Sequence, residues 1–508
     1  MIKQALLASV AIVLAGGLSA AALAQSEAET LTWSAGSAVG NLDIVANLEG
    51  TSRRLLKGNV GEGLAKLVTT KDGELSWEPL LATSWTQVEP QRWRFTIRQG
   101  VTFSDGTPLT VEDVAYTVNK VADPASSKTS ILQNIAGAEV VDDQTVDVLT
   151  KSPDFFAFRA AAEISIQKKG WGVDDPEAAQ KTLIGTGPYR LESVSPARDL
   201  ATLVKNDTYW GDEDPFFERI DLRVIPDSGA RLAALNAGEI DVAFDLAPDL
   251  AEVAPAQLSA AATEVDILRI NAKEKPLDDV RVRQALNYAV DQDVLVNNVR
   301  LGFAAKPHGQ AVTPPVRGYN PEIQDYGYDP DKAAALIKDA GAEGAQLTLM
   351  CPSEYYGAVG VNTCQTLEAM YEAVGLQVEL QMLPHGRWIA EGLLAPKNKV
   401  PPPSLFYIQA GSETLDATPY IRNYLTCNDE RSTICDETLD AAARSALAIA
   451  DPDEQAEAYR QVLAQARDLG VMVWLTNPRN VVATQKGIDG PVYNEGSTVF
   501  WADWSRQD

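Results

Sequence analysis

The sequence predicts an α/β chain with mixed sheets, on three stretches whose hydrophobic period switches between strand and helix. In the first, Gln346 to Cys351 reads as a strand, and Val361, Cys364, Leu367, Met370, Tyr371 and Val374 share one helical face. Gly375 closes that helix, and Leu376, Val378, Leu380 and Met382 then alternate as a second strand. Strand, helix, strand in this order predicts a right-handed parallel crossover. In the second, Trp93, Phe95 and Ile97 alternate with Arg92, Arg94 and Arg98, the pattern of a half-buried strand. A helix follows, capped by Thr110 with Asp113 three residues on and striped by Val114, Val118 and Val121. In the third, Asp227 starts a helix that stops at Gly238, after which Ile240, Val242 and Phe244 alternate.

The other elements follow from turn chemistry. Tyr189 to Glu192 and Ala201 to Lys205 read as strands around the turn Ser195-Pro-Ala-Arg-Asp199. Just before them, Gly185 and Gly187 are read as glycines that open backbone angles closed to other residues, and Pro188 fixes one φ. Asp329-Pro330 caps a helix through Ala333, Leu336, Ile337 and Ala340, stopped by Gly341. Two Ala-rich helices follow Cys435, Pro401-Pro-Pro403 is a rigid loop, and there is no internal repeat.

At 508 residues, two or three compact units are expected. The chain carries 43 Lys+Arg against 70 Asp+Glu, a net charge of −27. Such acidity argues against nucleic acid or an anionic membrane surface as partner. The first 24 residues read as a secretory leader: Lys3, the apolar stretch Ala5 to Leu18, and the Ala22-Leu-Ala24 cleavage site, giving a mature start at Gln25. A retained anchor is the alternative, weakened by Gly16-Gly17. The first cysteine is Cys351, so no lipid attachment is expected at the cleavage site, and a soluble periplasmic monomer is the reading. The four cysteines form two local pairs, Cys351/Cys364 and Cys427/Cys435. Disulfides are expected in an oxidising compartment, with the Cys351–Cys364 bond left open; neither pair has C-x2-C spacing or a nearby histidine for zinc.

Catalytic signatures are sparse. His308 and His385 are the only histidines, and neither H-E-x-x-H nor G-x-S-x-G occurs. Ser165-Ile-Gln-Lys168 matches S-x-x-K without its K-T-G and S-D-N partners, and reads as chance. Gly58 to Gly63 has the ends of a phosphate loop, but Leu64-Ala65 stands where Lys-Ser/Thr is required. No cofactor and no metal site is expected, although a metal held through an organic chelator is not a case the residues address.

Four segments in order carry a resemblance. They are Phe95 to Val114, with Asp105-Gly-Thr-Pro-Leu-Thr110; Ile184-Gly-Thr-Gly-Pro-Tyr-Arg-Leu-Glu192 closing on Asn206-Asp-Thr-Tyr-Trp-Gly211; Ile225-Pro-Asp227 to Val242; and Val280-Arg-Val-Arg283 to Asp291. Together they resemble the family 5 solute-binding proteins, the peptide/nickel class that feeds ABC importers. The resemblance implies a two-lobed periplasmic-binding-protein fold of the large class, with an extra subdomain in lobe I and a ligand cleft between the lobes. Mapped here, lobe I would comprise residues 25–57, 190–270 and 483–508, its extra subdomain 58–189, and lobe II 271–482, with hinge crossings near Asn271 and Arg479. The implied function is capture of a small solute, a peptide or peptide-like compound, for an inner-membrane ABC permease. A receptor for an oligosaccharide or other non-peptide solute, and an exported chaperone or sensor, are the alternatives.

Peptide-binding relatives carry a lobe II acidic residue that accepts the ligand amine. The corresponding segment here, Tyr407 to Asp416, puts Ser412 or Glu413 at that place and Gln409 where a tryptophan is usual, with Asp416 either a contact or a helix cap. Tyr355 and Tyr356 fall where some relatives use an arginine, and Arg387-Trp388 could stack beside them. The resemblance implies that these segments face lobe I residues Ser34, Gly36 and Asn41.

Overall fold

A computed structural model describes residues 30–40, 42–45, 50–69, 75–123, 132, 134–154, 157–171, 183–212, 214–353, 355–411, 415–427, 431–492 and 498–507. Among the described residues the chain is α/β, organised around a twelve-stranded mixed sheet, a separate four-stranded antiparallel sheet and two small two-stranded antiparallel ladders. Its principal elements fall where periodicity puts them. Thr110 caps Val111–Ala122 in a full capping box with Asp113, while Val114, Val118 and Val121 are buried. Asp227 accepts the Ala230 N–H at the start of Ser228–Asn236, and Asp329 accepts the Lys332 N–H ahead of Pro330–Asp339. Gly238, Gly341 and Gly375 all take left-handed φ where these and the Gly357–Ala373 helix end.

The strand-helix-strand reading is realised as Gln346–Pro352, Gly357–Ala373 and Gln377–Leu383, with the two strands parallel and in register from Gln346↔Gln377 to Pro352↔Leu383. Cys351 and Cys364 are joined inside this unit and both are fully buried, and Cys427 and Cys435 form the second disulfide. The Arg92–Ile97 strand alternates as expected and sits in the four-stranded sheet with Ala82–Glu89, Thr145–Thr150 and Ile135–Val140. Ile240 to Phe244 is shorter than expected, with only Val242–Ala243 in the ladder. One residue earlier the Asp241 carboxylate takes over, accepting the Thr32 N–H at 2.8 Å and pairing with Arg506.

Two glycines act differently from the sequence reading. Gly185 and Gly187 do not have left-handed φ; they are pressed against another backbone segment. A Cβ on Gly185 would stand 1.9 Å from the Val60 carbonyl oxygen, and one on Gly187 2.2 Å from that of Asn59. Their absent side chains let the Thr186-Gly-Pro-Tyr189 segment seat on Asn59–Gly61, where Tyr189 N–H donates to the Asn59 carbonyl.

The strand Met472–Thr484 joins the two halves of the large sheet. Its beginning pairs with Glu264–Ile270, which pairs in turn with Leu405–Gly411; its end pairs with Ala256–Ala261 and Val242–Ala243. Val242–Ala243 leads through Thr30–Ser34 to Arg219–Arg223 and the 189–205 hairpin. Ala262 and Thr263 link two different pairings, since Ala256–Ala261 before them lies on the end of the long strand and Glu264–Ile270 after them is zipped to Leu405–Gly411. The long strand changes partners at Asn477–Pro478, which pair with Ala304–Ala305.

Candidate ligand-binding cleft

Between the two halves lies a cavity of about 220 Å³. One wall comes from the half built on Thr30–Ser34 and includes Arg54, Phe244, Asp245 and Trp504; the opposite wall includes Arg300, Phe303, Tyr356 and Gln409. Arg479, at the point where the long strand crosses, also lines it.

Asp245 is placed by the strand end at Val242–Ala243 and holds φ at +57°, a conformation that aspartate tolerates better than most side chains. Arg54, on the short helix Gly50–Leu56, meets its carboxylate in a two-pronged pair, both contacts at 2.8 Å. The same guanidinium lies 4.5 Å from the Phe244 ring centroid, and the Arg54 carbonyl is held by the Trp501 indole. Arg231 supports Asp245 from behind through its carbonyl at 2.6 Å. Desolvation raises the Asp245 pKa, but Arg54, Arg231 and the Gly36 N–H outweigh it and hold the carboxyl below its ordinary range. Although walled by protein, the Asp245 side chain keeps 44 % of its surface open to the cavity.

Across the cavity, Arg300 is neutralised by Asp266 at 2.5 Å, and Asp266 also accepts from Tyr407 and Thr476. Burial works against the Arg300 charge, and Asp266 more than restores it, so its pKa is raised. The Tyr356 hydroxyl accepts the Gln409 N–H at 3.1 Å, and burial drives the phenol well above its usual pKa. Arg479 donates to the Ser259 hydroxyl at 3.1 Å and has no carboxylate partner among the described residues.

The structure sorts the sequence-named residues. Tyr356 and Gln409 line the cavity. Gly36 stands behind it, where its N–H serves Asp245 and a Cβ would come 3.1 Å from Arg231. Ser34 is fully buried, its carbonyl accepting the Phe244 N–H, one layer beneath the wall. Trp388 is not a cleft residue: it is buried, stacks on Phe406 and donates to the Tyr407 carbonyl. Arg387 points to solvent and pairs with Glu391 one helical turn on. Tyr355 is half exposed and stacks face to face with His385, 4.3 Å between centroids. Asp416 is buried, bonded to Arg317 at 2.5 Å, and accepts the Thr418 N–H just ahead of the Thr418–Leu425 helix, whose N-cap position is Ala417. Asn41 and Glu413, like residues 1–24, lie outside the described residues. The S-x-x-K match does not assemble, since Ser165 donates to the Gly61 carbonyl while Lys168 pairs with Asp105.

Arg54, Asp245 and Arg300 escaped the sequence reading, and Arg479 was named only as a hinge position. One signal existed: Asp245 directly follows an alternating strand, and clefts of α/β proteins open at strand ends.

Residues 76–431 match the family model for bacterial extracellular solute-binding proteins, family 5 Middle. Glutathione-binding protein GsiB of Salmonella typhimurium is 26% identical over 457 residues, covering 85% of this chain and 84% of its own. Among solved structures, the periplasmic binding protein DppA of Helicobacter pylori in complex with the peptide STSA aligns with a TM-score of 0.77 at 20% identity, covering 94% of this chain and 98% of that one. NikA of Brucella suis in complex with Fe(III)-EDTA aligns with a TM-score of 0.79 at 21% identity, covering 94% of this chain and 100% of that one. With a family match over most of its length and the two-lobed architecture of these neighbours, the chain belongs to the bacterial extracellular solute-binding proteins, family 5.

Proposed function

We propose that this protein is the substrate-binding component of an ABC uptake transporter, enclosing a small peptide-like solute between its lobes and presenting it to an inner-membrane permease. The observation that carries the reading is the cavity itself, walled by Asp245 and Arg54 on one side and by Tyr356 and Gln409 on the other. A solute touching both walls binds the closed form better than the open one, so binding and closure are linked. Similarity to proteins named for glutathione and peptide binding supports a peptide-like solute. Lobe I is assigned to 25–57, 190–270 and 483–508 with 58–189 as its extra subdomain, and lobe II to 271–482. The protein acts as a non-catalytic monomer in the periplasm, released from its leader at Gln25 and carrying no lipid. Arg159 of the extra subdomain, which donates to the Leu415 carbonyl at 2.6 Å, acts as one of the contacts made on closure.

Mass spectrometry of small molecules released from protein purified from its native periplasm tests the reading. A released solute that raises the melting temperature and lowers the radius of gyration when added back supports it. Release of nothing, with no compaction by any peptide or sugar tried, overturns it.

A further inference from the structure

Among the described residues, the charge lining the cleft runs opposite to the charge of the molecule. The whole chain is strongly acidic, at −27. Yet the described charged side chains on the cavity wall are three arginines, Arg54, Arg300 and Arg479, against one carboxylate, Asp245. Behind them the count stays positive, because Arg231 backs Asp245 and Asp266 backs Arg300. Arg54 and Arg300 each have a carboxylate at hydrogen-bond distance, which leaves Arg479 as the guanidinium whose charge is unmatched among the described residues. Its position is fixed by backbone: Arg479 N–H donates to the Phe303 carbonyl, and the residue pairs with Ala261 across the sheet. The side chain is exposed into the cavity and its single described bond, to Ser259, leaves other N–H groups for a ligand.

An exposed cation in a walled cleft focuses the field that surrounding water would otherwise screen. A guanidinium also matches a carboxylate in a two-pronged geometry. Resting on the solute-receptor reading above, we propose that the ligand is an anionic, carboxylate-bearing solute and that Arg479 is the specificity-determining residue that receives its carboxylate.

Calorimetry with matched probes tests this: reduced glutathione against its diethyl ester, and trialanine against its C-terminal amide, on the wild type, Arg479→Gln and Arg479→Lys. The acid of at least one pair should bind at least tenfold tighter than its blocked form. Arg479→Gln should weaken that acid at least tenfold while leaving the blocked form unchanged, and Arg479→Lys should recover part of the loss. Equal binding of acid and blocked form, or an unchanged dissociation constant in Arg479→Gln, overturns the proposal. If neither acid binds, the solute released from native protein decides: an anion whose affinity falls in Arg479→Gln upholds the proposal, and a neutral or cationic solute overturns it. In that last case the receptor reading survives, whereas a protein that releases and binds nothing loses both.

Discussion

Replacing Glu62 by glutamine changes how the stability of this protein depends on pH. Glu62 lies between Gly61 and Gly63, is 2 % exposed, and accepts from the Tyr209 hydroxyl at 3.0 Å and the Trp210 indole at 2.9 Å. Burial dominates these donors and pushes its carboxyl up to about 7 from the usual 4.5. The protonated acid is thus the form the fold prefers. Its contribution is fully present below pH 4.5, declines as pH rises from 4.5 to 7, and is gone above that. An upward shift of this size corresponds to roughly 3 kcal/mol. Glutamine has the same shape and cannot ionise; its carbonyl can accept from Trp210 while its amide donates to the Tyr209 oxygen. The difference in melting temperature, variant minus wild type, should therefore rise from pH 4.5 to about pH 7 in favour of Glu62→Gln and level off above it. Scanning calorimetry at half-unit pH intervals reads it. Parallel curves across that window would refute the argument, because they would mean that Glu62 titrates alike in folded and unfolded chains.

Asp266→Asn should cost about 3–5 kcal/mol by leaving the Arg300 guanidinium buried without its counter-charge, and urea denaturation checks it. Gly185→Ala should block folding, since the new methyl would overlap the Val60 carbonyl; absence of soluble protein is the expected outcome and a normal melting curve contradicts it. Removing the Cys427–Cys435 bridge with a double serine substitution should lower stability by roughly 2–3 kcal/mol, and a non-reducing peptide map of the parent should show the two peptides linked.

Local rules were readable from the chain, and long-range ones were not. Thr110, Asp227 and Asp329 announce helices because a cap acts within three residues of itself. The role of Gly185 and Gly187 was misread because the atoms they accommodate, at Asn59 and Val60, are more than a hundred positions away. Tyr356 and Gln409, named through the family pattern, line the cavity, whereas the Arg54–Asp245 and Asp266–Arg300 pairs join residues that no period relates. Arg387 was avoidable: Glu391 stands one turn further on, the spacing of a solvent-side ion pair. Trp388 was not, since only the fold reveals Phe406 beneath it.

The strand Met472–Thr484 has a consequence for how the molecule is made. The first strand, Thr30–Ser34, must hold its place for Arg219–Arg223 and Val242–Ala243, and the latter are completed only by Ala483–Thr484. Neither half of the large sheet can close before almost the whole chain has emerged, because one late segment supplies both with a neighbour. Contacts so distant in sequence are slow to form. The four-stranded sheet, drawn from 82–150 alone, can precede them. A chain built this way keeps its two main sheet halves open until its last strands have been synthesised.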